Sequence, residues 1–196
     1  GSVTLASPHA ITLERGALID VSSGGALLQK GATRGGKGGD VSLRAGTPEV
    51  EGAANGALAM DAQLRGYGMT GGGTLDVRAH RMQLGGSAAG ETGALVMDLG
   101  LLHSGFSEYL LTGHQGLLVA DDARVDVFMP ILRPRDDAQE MATGTSLVNV
   151  LDVWTAPLHQ ENPVEGVLTQ RAGASLTLHA GSERSSGADM EIVKAI

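Results

Sequence analysis

The 196-residue chain has no cysteine, which excludes disulfide frameworks, thiolate metal sites and cysteine nucleophiles together. Aromatic residues are nearly as scarce, with one Trp, two Tyr and two Phe, so a core has to be built from aliphatic side chains. Charged residues make up only 18%, and Lys+Arg 14 against Asp+Glu 22 leave a net charge of −8. That sign argues against a general nucleic-acid or anionic-membrane role, because phosphate binding needs the opposite one. No apolar run reaches the roughly 18 residues of a bilayer span, and the first residues lack the basic and then apolar character of a signal peptide. Helical spacing is short of supply as well. The stretch 136–142 is the one helix candidate, and helix content is expected to be close to nil.

What the chain has in excess is glycine, 30 residues, about twice the ordinary share. Hydrophobic content of 42% is normal, so the chain can bury a core and does not read as disordered. The glycines introduce a recurring phrase in which one or two small residues precede alternating apolar residues and a small residue closes the run. Five copies are visible: Gly16 to Ser22, Gly38 to Ala45, Gly72 to Ala79, Gly173 to Ala180 and Gly187 to Val193, with looser copies from Gly93 and Gly116. The period is two, which predicts strands, with Val41/Leu43, Leu75/Val77 and Leu176/Leu178 inward and Ser42, Asp76 and Thr177 outward. Phrases recur every 20 to 35 residues or so, with shorter apolar runs such as Ala57 to Met60 and Tyr109 to Leu111 between them.

Glycine clusters stand beside the same kind of strand each time, rather than at alternate hairpin turns, and this favours winding in one direction. The pattern fits an all-β parallel β-helix, a solenoid with coils of about 20 to 25 residues, Gly at corners for positive φ, and an interior too narrow for many aromatics. Residues 3–126 read as such coils. Residues 127–163, with two prolines in Phe128 to Asp137 and the only Trp in the apolar run Ser146 to Trp154, read as one excursion that packs on the flank or projects from it. Coils return over 164–196 and are expected to continue into a longer parent chain, while Gly1-Ser2 reads as an expression scar.

The phrases Ile19 to Gly25, Gly36 to Leu43 and especially Leu64-Arg65-Gly66-Tyr67-Gly68-Met69-Thr70-Gly71-Gly72-Gly73-Thr74-Leu75 resemble large exoproteins of the filamentous haemagglutinin family. The resemblance covers 3–126 and 164–196. It implies a right-handed parallel β-helix shaft, exported across the outer membrane of a Gram-negative bacterium by a two-partner secretion transporter, and hence a secreted or cell-surface adhesin. The Asn-Pro-Asn-rich signature of the family's secretion domain is absent, and Glu161-Asn162-Pro163-Val164 is not that motif. The transporter would therefore recognise a region outside this chain. A host-cell receptor, a glycan and another bacterial cell all stand open as the adhesive partner.

Chemical readings compete poorly with plain turns. Gly35-Gly36-Lys37-Gly38-Gly39-Asp40 opens like a calcium-binding nonapeptide, but Ser42 stands where a large apolar residue belongs and no adjacent repeat exists. A β-helix glycan-active enzyme would need paired carboxylates, and Asp122 and Asp126 could share a strand face; Asp121, Asp136, Asp137 and Glu140 are the other acids nearby, with Arg124, Arg133 and Arg135. The six His (9, 80, 103, 114, 159, 179) lack metal-site spacing, and Ser22-Ser23 and Ser185-Ser186 lack a nucleophile elbow. We therefore expect no catalytic, cofactor-binding or metal residue. Partner binding, if this segment has any, is expected on the excursion, through Phe128, Arg133, Arg135 and Trp154.

Overall fold

A computed structural model describes residues 1–28, 31–47, 51, 56–86, 93–162, 164, 166–181 and 189–192, and these residues form an all-β chain. Its largest sheet holds five six-residue strands, all parallel: β1 (Ser2–Ser7), β6 (Asp40–Ala45), β9 (Thr74–Ala79), β12 (Glu108–Gly113) and β18 (Ser175–Ala180), in that spatial order. The register runs without a slip through Val3, Val41, Leu75, Tyr109 and Leu176. A second row, Leu5, Leu43, Val77, Leu111 and Leu178, and a third of small residues, Ser7, Ala45, Ala79, Gly113 and Ala180, lie on the same face. The alternation thus produces two aliphatic rows and one small row at the point where the chain turns off the sheet. Val41, Leu43, Leu75 and Val77 are at most 1% exposed, whereas the matching residues of β1 and β18 are half-buried.

After each long strand the chain passes to a second set of parallel strands. β10 (Met82–Leu84) lies between β11 (Leu95–Met97) and β13 (Gly116–Val119), with β19 (Asp189–Ile192) outside β13. β2 (Ile11–Leu13) pairs with β7 (Leu58–Met60), and β7 packs beside β11. β3 (Leu18–Asp20) and β8 (Gln63–Arg65) pair in parallel as a separate two-stranded sheet among the described residues. Three hairpins leave this pattern: β4 (Gly25–Leu27) with β5 (Thr33–Gly35), β14 (Ile131–Pro134) with β15 (Leu151–Trp154), and β16 (His159–Asn162) with β17 (Val167–Gln170), all antiparallel. Helix among the described residues comprises a 3-10 turn reaching Gly31, 3-10 turns at Leu99–His103 and Ala138–Glu140, and the single turn α1 (Leu147–Val150). The expected 136–142 helix is therefore only a 3-10 turn, and α1 yields after four residues to the β-branched run that enters β15.

Several sequence expectations change. Equivalent residues of β6, β9 and β12 are 34 apart, as Thr74 is from both Asp40 and Glu108, a wider spacing than the 20 to 25 residues expected of a coil. The phrases from Gly38, Gly72 and Gly173 do share one sheet, but those from Gly16, Gly93, Gly116 and Gly187 belong to the other sets. Gly187, Ala188 and Val193 of the last phrase, like Ser185-Ser186, lie outside the described residues. The missing copies are β1 and β12, the latter opened by Phe106-Ser107 in place of a glycine pair. More than one excursion exists, since β4 and β5 also depart from the parallel sets.

The interior is not closed to aromatics. Phe106 and Tyr109 are both 0% exposed and meet edge to face, with ring centroids 6.0 Å apart. Glycine makes the room: a Cβ on Gly66 would lie 2.5 Å from the Phe106 ring. The strand-opening glycines answer to closeness rather than to positive φ. A Cβ on Gly39 would strike the carbonyl oxygen of Gly1, and one on Gly73 would strike that of Gly39. Where the next strand has Ser107 instead, its hydroxyl donates to the carbonyls of Gly72 at 2.7 Å and Gly73 at 3.0 Å.

Candidate functional site

The outward face of the five-stranded sheet is organised around Asp76. Expected to point freely to solvent, it is 8% exposed, because the register sets Arg44 beside Arg78 and both guanidinium groups close over it at 3.0 Å. The Ser42 hydroxyl also donates to Asp76 Oδ2 at 3.4 Å. Near the start of the same strands, Asp40 Oδ1 accepts from the Thr74 amide at 2.8 Å, and Thr74 Oγ1 donates to Glu108 at 3.0 Å. Asp40 of the calcium-like hexapeptide is thus a cross-strand acceptor. The carbonyl of Gly36 in the same hexapeptide accepts from Met69, Thr70 and the Ser23 hydroxyl.

The four partner-binding candidates of the excursion are engaged with the molecule itself. Phe128 is clasped on two sides, stacked on His103 at 3.9 Å and covered by the Arg171 guanidinium at 4.5 Å. The His103 ring reaches the carbonyl of Asp126 at 2.9 Å. Arg133 lies over the half-buried Trp154 at 4.7 Å, on the neighbouring strand of the same hairpin. Arg135 pairs with Asp137 at 3.1 Å and Asp152 at 3.7 Å, and the hydrogen bond to Asp137, then the two charges, hold its pKa above the ordinary value. Main-chain bonds from Leu132 to Gly68 and from Met129 to Ala172, both 3.0 Å, tie the excursion to the loop after β8 and to the segment leading into β18. Apolar side chains do remain outward on it, with Val148 86%, Val153 51% and Leu158 75% exposed.

Asp122 and Asp126 do not share a strand face, because residues 121–127 form a turn and an extended stretch outside any sheet; Asp126 is paired instead with Arg124 at 2.8 Å. Among the described residues no group of three or more His, Asp or Glu is placed to hold a metal ion. The histidines are not uniformly solvated. His114 is 3% exposed, and burial, reinforced by Arg81, lowers the pKa of His80.

One concavity lies among residues that sequence reasoning did not single out. It is a groove of about 510 Å³ beside β8, opposite the Leu99–His103 turn. Among the described residues β8 pairs only with β3, so it keeps one open edge, on the side of the Leu99–His103 turn. The two sides close again where the Gly66 amide donates to the Ser104 carbonyl at 2.9 Å. Gln63 and Arg65 turn their main-chain groups to the β3 side, as the bonds from Gln63 N to Ala17 O and from Val21 N to Arg65 O show. Alternation therefore sends the N–H and C=O of Leu64 toward the groove.

Its walls are polar and planar. Arg15 pairs with Asp61 at 3.0 Å, Arg65 donates to Gln63 Oε1 at 2.9 Å, and Asp98 caps the Gly100 amide at 2.9 Å. Tyr67 and His103 complete the far side. The Tyr67 ring lies against the bare backbone of Gly105, and burial raises its pKa against the opposing pull of Arg65.

No protein-family model, no curated protein and no solved structure matches the chain.

Proposed function

We propose that this chain is a stretch of right-handed parallel β-helix serving as a structural and adhesive shaft segment of a large secreted or cell-surface bacterial exoprotein, similar to filamentous haemagglutinins and non-catalytic. The observation that carries the reading is the five-stranded parallel sheet held in one register, with equivalent residues 34 apart through β6, β9 and β12. Parallel strands joined by crossovers wind right-handed in nearly all known cases. Stability that sums over neighbouring circuits suits a long stiff rod, and a chain without cysteine stays threadable through a transporter before it folds.

The test is export. Fused behind a two-partner secretion signal domain and expressed with the matching outer-membrane transporter in a Gram-negative host, the chain is expected outside the cell in a protease-resistant form. Retention in the periplasm would overturn the reading. Turnover of any member of a polysaccharide panel would overturn its non-catalytic part. A second reading, a binding module centred on 127–163, is favoured by the outward Val148, Val153 and Leu158. Deletion of that segment with loss of cell binding and unchanged β-type circular dichroism would support it, and unchanged binding would refute it.

A further inference from the structure

We infer that the groove between β8 and the Leu99–His103 turn is a binding site for a short neutral saccharide. Its volume of about 510 Å³ falls in the range of small-molecule sites, roughly 300–1,000 Å³. Its charges balance, Arg15 and Arg65 against Asp61 and Asp98, and the Arg15–Asp61 contact already neutralises one pair. A strongly anionic or cationic ligand therefore gains no net field here.

What the groove does offer is a dense set of donors and acceptors. The Gln63 amide oxygen accepts from Arg65 and the Asp98 carboxylate from the Gly100 amide, which leaves the Gln63 N–H groups and further carboxylate lone pairs for a ligand. The main-chain N–H and C=O of Leu64 add one donor and one acceptor at the floor. Sugar hydroxyls donate and accept together, and they match such an alternating array better than a ligand with only one capability. The Tyr67 ring, seated on Gly105, supplies an aromatic wall against which a pyranose face can lie, beside the apolar side chains of Met60 and Leu101. An extended peptide is less well served, because β8 presents three residues and only Leu64 directs its backbone groups outward.

The inference is independent of the export route proposed above. The full chain is probed on a printed array of neutral, sialylated and sulfated oligosaccharides, and the strongest neutral hit is then titrated calorimetrically. We expect binding to neutral members, a loss of at least tenfold in affinity for Gln63→Ala, and a similar loss for Ala62→Trp, which plugs the groove while keeping Gln63. Arg34→Ala on β5, exposed and outside the groove, should bind as the parent does. Thermal melts coincident with the parent identify the variants as folded. A silent array, recognition of sulfated or sialylated members only, binding of extended peptides but not sugars, or neutral-sugar affinity unchanged in both groove variants would each overturn the inference.

Discussion

Gly73→Ala should be among the most damaging single-methyl additions in the chain. The new Cβ would sit in the carbonyl of Gly39 on the neighbouring strand, with the Asp40 carboxylate 2.6 Å away. Backbone cannot swing aside as a side chain can, so β6 and β9 must part locally. That movement strains the Thr74–Asp40 bond of 2.8 Å and the first ladder bonds beyond it. Overpacking at about 1–3 kcal/mol plus two hydrogen bonds at about 1 kcal/mol each gives a loss of about 3–5 kcal/mol. With a urea slope of about 2 kcal/mol/M the midpoint falls by about 2 M. Two controls separate this mechanism from the usual account of glycine. Gly16→Ala meets open space but must adopt φ +89°, at about 1–2 kcal/mol. Gly24→Ala needs no positive φ and meets only a Leu147 methyl at 3.9 Å, so its cost should stay within about 0.5 kcal/mol. A Gly73→Ala midpoint no lower than that of Gly16→Ala would refute the close in-register approach of β6 and β9.

Further outcomes follow from the same contacts. Asp76→Asn leaves Arg44 and Arg78 facing one another across adjacent strands and should cost about 1–3 kcal/mol in urea unfolding. Phe128→Ala removes the ring between His103 and Arg171; the emission of Trp154, the only tryptophan, should shift to the red as the excursion loosens, while far-UV circular dichroism is unchanged. Both tyrosines are held above their ordinary pKa of 10.0, chiefly by burial, so absorbance at the phenolate band should not rise until the pH passes that value. Because the unfolded chain releases those protons first, stability should fall as pH climbs beyond 10.0. For His80, lowered by burial and then by Arg81, the unfolded state takes up the proton first as pH drops below 6.5. Stability should therefore decline on acidification through that window until the folded pKa is passed, and His80→Gln should flatten the slope.

The strands were legible because their alternation is a property of neighbouring residues. Val41/Leu43 and Leu75/Val77 could point only one way once the period was two, and their burial agrees. The count of residues per circuit was not legible. It depends on turns and inserted strands such as β11, which leave no periodic trace, and it decides that Tyr109 stands beside Leu75. An interior too narrow for many aromatics still admits Phe106 and Tyr109, and the hollow for Phe106 is made by Gly66, 40 positions away in sequence. Asp76 reads as solvated on its own strand and becomes covered only when Arg44 arrives from the next one.

By itself, then, the sequence determined an aliphatic-cored, nearly helix-free chain of short alternating strands, and it marked where those strands begin, because local sterics and hydrophobic alternation act over a few residues. Tertiary structure alone decided which strands are neighbours, why Gly39 and Gly73 must be bare, how Phe128 is absorbed into docking the excursion while Arg133, Arg135 and Trp154 are absorbed within it, and where β8 is left with an open edge. These depend on which backbone lies about 4.8 Å away, and that distance joins residues 34 or more positions apart.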